Sequence, residues 1–196
     1  MNEKQVILTD EFHHRAMALK TGDVAPGFNL RNANGDVGAP LMSFDDVAGE
    51  RGTLLVFECN HCPYVVASVG RINDLAMACE EKGVGFAGIN ANDPLRYEND
   101  SFEHMTKRAQ QGMPYAYLHD DAQETARAYG AKRTPEFYLF DANATLVYQG
   151  RMDDSPRHPG EVTTNELGDA LSAMLAGEQP TIDYTESIGC SVKWKE

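Results

Sequence analysis

Cys59 and Cys62 stand two residues apart, with Asn60 and His61 between them, in the run "VFECNHCPYV". Two thiols at this spacing either close a reversible disulfide or supply part of a metal site. The pair begins where an apolar stretch of strand length, "GTLLVFE", ends. It stops where Val65, Val69, Ile72, Ala76 and Cys79 start to recur every three or four residues, the apolar face of a helix. A helix N-terminus carries unpaired N–H groups, which favour a thiolate over a thiol. His61 adds positive charge when protonated, and Pro63 suits a first helical turn because its missing N–H costs nothing there. A tetrahedral metal site needs four ligands. Cys59, Cys62 and His61 make at most three, and no second Cys-X-X-Cys or His-X-X-X-His follows. A redox pair is the better reading.

The elements around the pair follow from periodicity and breakers. Two short strands are predicted in "APGFNLRNANGDVGAPLMSF", turning tightly at Asn34-Gly35. "GVGFAGIN" reads as a strand, and "DSFEHMTKRAQQ" as a helix opened by Asp100 with Glu103 three residues on. "YAYL" is a short strand, "DAQETARAYG" a helix stopped by Gly130, and "EFYLFD" and "TLVYQG" form a hairpin around "ANA". A last helix over about 164–176 ends at Gly177. This order predicts an α/β fold with a mixed sheet and helices on both faces.

Length and composition suit one domain over 1–196, with a body of about 24–178 and a tail over 179–196. The net charge of −13 argues against a nucleic-acid partner, and no apolar run is long enough for a membrane span. The N-terminus lacks a basic end followed by an apolar stretch, which points to the cytoplasm.

Several residues have a structural and a chemical reading. Cys79 lies on an apolar helix face and is expected buried and inert. Ile188, Cys190, Val192 and Trp194 alternate with polar or small residues, as in a tail strand packed by one face, which makes Cys190 structural. A third redox thiol is the competing reading. Arg151 either steadies a thiolate near the pair or balances Asp153 and Asp154. "NANDP" (90–94) is either a functional loop at a strand end or ordinary turn chemistry. His13, His14, His104, His119 and His158 are expected to be exposed.

The segments "APGFNL", "CNHCPYV", "GINAND", "DSFEHM", "RTPEFYLFD", "YQGRMDDS" and "GCSVKW" span Ala25 to Trp194. Through them the chain resembles the thioredoxin superfamily, in its redoxin (alkyl hydroperoxide reductase/thiol-specific antioxidant-like) branch with a "CNHCPYV" active site. The resemblance implies a thioredoxin-like fold with an N-terminal β-hairpin extension and a C-terminal tail. It implies that Pro135 is a cis-proline facing the cysteines, and that Thr134 offers its backbone to an extended partner. Asn60 and Arg151 are grouped with Thr134 as partner-facing residues. Thioredoxins bury an acidic residue in the strand below the pair to take the second thiol's proton. Here that strand is apolar until Glu58, which becomes the candidate acceptor, with a solvated strand-end carboxylate as the alternative.

The function implied is thiol–disulfide exchange, with Cys59 as the more accessible nucleophile and Cys62 as the resolving thiol. Its partners would be protein or small-molecule disulfides and thiols, with electrons from a reductase or a small thiol and no bound cofactor. One alternative is a thiol peroxidase with Cys59 as peroxidatic cysteine. The Pro and Thr that peroxiredoxins place seven and three residues earlier are Gly52 and Val56 here. The other is a metal carrier using Cys59, Cys62 and a histidine.

Overall fold

The computed structural model describes residues 18–196, so His13 and His14 lie outside the described residues. Its centre is β3 (Gly52–Phe57), buried along its whole length. Leu54 and Val56 point into one apolar layer, Leu55 and Phe57 into the other. This two-sided burial is why the strand reads as a continuous apolar run.

β4 (Val84–Asn90) runs parallel to β3, and β5 (Ala116–His119) parallel to β4. β7 (Glu136–Phe140) and β8 (Leu146–Gly150) form the predicted hairpin, with β7 antiparallel to β3. On the other side, β1 (Asn29–Asn32) pairs antiparallel with β5 and carries β2 (Leu41–Ser43). The sheet order is β2-β1-β5-β4-β3-β7-β8. It is the expected mixed sheet of a thioredoxin-like fold with an N-terminal hairpin added to one edge.

One face is covered by α2 (Pro63–Glu81), α3 (Phe102–Ala109) and α5 (Glu166–Leu175). The other is covered by α1 (Phe44–Val47) and α4 (Glu124–Tyr129). Along α2 the buried residues are Val65, Ser68, Ile72, Ala76 and Cys79. Cys79 is inside as expected, and burial pushes its thiol up to about 11.

Three local readings change. The β1–β2 connection is a long loop rather than a tight Asn-Gly turn. Asn34 is buried, and its amide donates to Met113 O and Tyr115 O, which uses the residue as a clamp. α3 is opened by Ser101, whose hydroxyl accepts from His104 N, so Asp100 is free for another task. His119 is buried rather than exposed, whereas His158 is exposed.

Two short strands complete the site. β6 (Arg133–Thr134) precedes β7, and β9 (Cys190–Ser191) comes from the C-terminal tail. They pair antiparallel, with Thr134 opposite Cys190. No helix among the described residues is long and apolar enough to cross a membrane.

Candidate active site

β3 ends at Phe57, and the loop Glu58–Cys62 leads into α2, for which Cys62 is the N-cap and Pro63 the first helical residue. The pair therefore lies at the C-terminal ends of parallel strands, where open α/β sheets place their functional loops. Cys59 and Cys62 are both free thiols, and both are almost fully covered, at 1% and 0% exposure. The expectation that Cys59 is the more accessible of the two does not hold in this arrangement, in which both are covered and Cys190 of the tail packs against their cluster.

Thr134 touches each thiol. Its hydroxyl lies 3.5 Å from Cys59 Sγ, and its carbonyl oxygen accepts from Cys62 Sγ at 3.1 Å. The Thr134–Pro135 peptide bond is cis, as the resemblance implied. The sulfur–sulfur hydrogen bond couples the two ionisations. A Cys62 anion is one way to share that proton, with Cys59 raised by its bond to Cys62 and by burial. That placement would leave a carbonyl oxygen 3.1 Å from a bare sulfur anion. Leaving the proton on Cys62 satisfies the carbonyl and turns the Thr134 hydroxyl toward a Cys59 anion, and the two Thr134 contacts favour that distribution.

Glu58 is neither solvated nor directed at the thiols. It is fully buried; Arg108 Nη2 lies 2.5 Å from one carboxylate oxygen, and Tyr115 donates to the other at 2.8 Å. Burial would lower the Arg108 pKa, but the Glu58 charge outweighs it, and the guanidinium is held above its ordinary value. Arg108 also donates to Cys59 O at 3.0 Å and to Asn60 Oδ1 at 3.3 Å, tying the loop to α3. Asn60 accepts in addition from Tyr117 OH at 2.9 Å and donates to Asn99 O at 2.6 Å. Its side chain is thus engaged inside the protein rather than presented to a partner.

A carboxylate that does come close to Cys59 is Asp100, for which the sequence predicts only a helix start. It is buried and accepts from Asn60 N at 2.7 Å, Asn90 Nδ2 at 3.2 Å and Asn92 Nδ2 at 2.9 Å. His61 Nδ1 lies 2.6 Å from Asp100 Oδ2, the oxygen that also accepts from Asn92, and the imidazole stacks on Tyr97 with ring centroids 5.0 Å apart. The Cys59 sulfur, a His61 nitrogen and an Asp100 oxygen all lie within 4.8 Å of one another. The only signal for Asp100 was the "NAND" stretch, whose two asparagines hold it. Asn90 and Asn92 are therefore more than turn residues.

Arg151 is bound to Glu166, not to Asp153 or Asp154, and its backbone N–H donates to Thr185. Asp153 is paired with Arg71, and Asp154 accepts from Thr163 and Thr164. No contact of Arg151 reaches the cysteines.

Cys190 is half-buried and belongs to the same apolar cluster as Cys59, Cys62, Val65 and Tyr64. The tail does pack as the alternation suggested further on, where Val192 is buried and Trp194 lies against the core and under Arg127. At Cys190 itself, however, the side chain meets the Cys59–Cys62–Val65 cluster.

Residues 21–149 match the AhpC/TSA family, and the chain belongs to it. An uncharacterized conserved protein from Geobacillus kaustophilus is 40% identical, over 90% of this chain and 93% of that one, with a TM-score of 0.83. A hypothetical protein from Sinorhizobium meliloti 1021 is 30% identical, over 91% and 97%, with a TM-score of 0.82. The thioredoxin domain of a Bacteroides vulgatus thiol-disulfide oxidoreductase shares the fold at 20% identity, over 74% and 97%, with a TM-score of 0.55. No curated protein matches the chain.

Proposed function

We propose that the protein is a thiol–disulfide oxidoreductase of the redoxin branch, with "CNHCPYV" as its active site. The observation that carries this is the contact of both free thiols with Thr134, one through its hydroxyl and one through its carbonyl. Cys59, as thiolate, attacks one sulfur of a partner disulfide and releases the other as a thiolate. Cys62 then gives up its proton and attacks Cys59 Sγ, which frees the partner's second thiolate and closes the Cys59–Cys62 bond. A reductase or small thiol returns the two electrons. His61, beside Asp100 and with a nitrogen within 4.8 Å of the Cys59 sulfur, is the base proposed to take the Cys59 proton. Glu58 positions Arg108 and the loop and takes no proton. The partners are protein or small-molecule disulfides, and the reducing cytoplasm suits four free cysteines. The body of about 24–178 and the tail over 179–196 act as one domain.

Mixed-disulfide trapping tests this. The Cys62→Ser variant should accumulate covalent adducts with a disulfide-bearing substrate, and Cys59→Ser should not. Equal trapping by both would reject Cys59 as nucleophile.

The peroxidase reading lacks support at Val56, which has no hydroxyl to set beside a peroxide. The metal-carrier reading has an observation in its favour, the Cys59–His61–Asp100 cluster, in which Asp100 replaces the expected Cys62. Against it, the Asp100 carboxylate already accepts three N–H groups, which leaves little lone-pair density for a cation.

A further inference from the structure

The backbone of Thr134, which the resemblance implies would be offered to an extended partner, is already paired from within. Thr134 pairs antiparallel with Cys190, and Val192 N donates to Lys132 O at 3.0 Å. Gly189 lies so close that a Cβ there would stand 2.2 Å from Thr134 O, so only glycine fits. Beyond the strand, Lys193 N donates to Asn92 Oδ1 at 2.8 Å and Asp93 N to Lys193 O at 2.9 Å. Before it, Thr185 N donates to Gln149 O at 3.0 Å. The tail is stitched down on both sides of Cys190 and cannot slip in register.

This seating brings a third sulfur into contact with the pair. The Cys190 side chain packs against the buried cluster of Cys59, Cys62 and Val65, opposite the Thr134 whose hydroxyl and carbonyl touch the two thiols. Cys190 is also the most exposed thiol of the three.

We propose that Cys190 is a third catalytic thiol, and that the tail is a built-in substrate strand whose cysteine exchanges with Cys62. The inference rests on the reading of Cys59 and Cys62 as a redox pair. In the oxidised protein, the Cys190 thiolate attacks Cys62 Sγ, the Cys59–Cys62 bond breaks and a Cys62–Cys190 bond forms. The proton lost by Cys190 ends on Cys59. One disulfide replaces another, no electrons are gained or lost, and Cys59 is released as a free thiol while the protein stays oxidised.

Oxidation of the intact protein with diamide, which takes two electrons and two protons from a dithiol, tests this. Free thiols are counted on the monomer under non-reducing conditions, and linkages are mapped in digests. Wild type should go from four free thiols to two and yield both Cys59–Cys62 and Cys62–Cys190 peptides. The Cys59→Ser variant should go from three to one through Cys62–Cys190, while Cys190→Ser should form only Cys59–Cys62. Should Cys59→Ser keep all three thiols while wild type yields only Cys59–Cys62, the third-thiol role is overturned and the pair stands. If wild type itself keeps all four, the pair reading falls as well. Because the wild-type digest reports the linkage directly, the result does not depend on how a variant folds.

Discussion

Arg108 and Glu58 form a buried ion pair directly behind Cys59, 2.5 Å apart, with Glu58 fully enclosed and the same guanidinium bonded to the Cys59 carbonyl. The reactive loop therefore rests on a charge pair that solvent does not relieve. Removing one member of such a pair leaves an uncompensated charge in the interior, at a cost of about 3–5 kcal/mol. Arg108→Met should lower unfolding free energy by that order in urea titrations. The double variant Arg108→Met with Glu58→Gln should recover most of the loss. A double variant no more stable than Arg108→Met would mean that Glu58 is not the group left stranded.

Asp100 should set the ionisation of the pair. Its negative charge opposes a Cys59 thiolate, after the Cys62 hydrogen bond and burial. Asp100→Asn should shift the appearance of thiolate absorbance to lower pH, even though the lost contacts to Asn60 and His61 lower the melting temperature. A shift to higher pH would show that the lost contacts to Asn60 and His61 outweigh the removed charge.

Burial holds His119 below its ordinary value of 6.5. The unfolded chain then takes up a proton near that pH while the native protein declines it. Stability is therefore intact above about 6.5, falls as pH drops through the unfolded value, and levels off below the native one. Thermal melts from about pH 7.5 to about 5.5 should show a smaller drop for His119→Gln than for wild type. Identical drops would place the acid sensitivity elsewhere.

Gly189→Ala tests the tail without touching a thiol. Its methyl group would collide with the Thr134 carbonyl, so the tail must lift from β6. Both pair cysteines should then alkylate several-fold faster, and the melting temperature should fall. An unchanged alkylation rate would mean that something other than the tail covers them.

The framework was legible because burial and breakers act locally. The apolar run of β3, the α2 face from Val65 to Cys79, and Gly130 with its φ of +70° after α4 each announce an element without knowledge of its neighbours. The pair itself was legible for the same reason, since two cysteines at a strand–helix junction are adjacent in sequence. What stayed hidden depends on distant chain. Asp100 sits 40 residues from Asn60, whose N–H it accepts. Arg108 is 50 residues from Glu58. The alternation in the tail correctly gave a docked strand at Val192. It could not show that the surface under Cys190 is made of two other sulfurs.

The β6–β9 pairing also fixes the terms on which any outside protein can reach the pair. A strand tethered beside Thr134, the partner edge the resemblance implies, is present at an effective concentration of about millimolar, whatever the dilution of the protein. A free peptide at micromolar concentration with equal intrinsic affinity would lose that contest by about a thousandfold, or ~4 kcal/mol. The competition discriminates by size and by reach. A small disulfide needs only a sulfur's width of access beside Cys190, whereas an extended polypeptide must first displace Gly189 to Val192. On the proposed function, the tail would bias the site toward compact disulfides, and toward those few macromolecules that bind strongly enough elsewhere on the surface to peel it away.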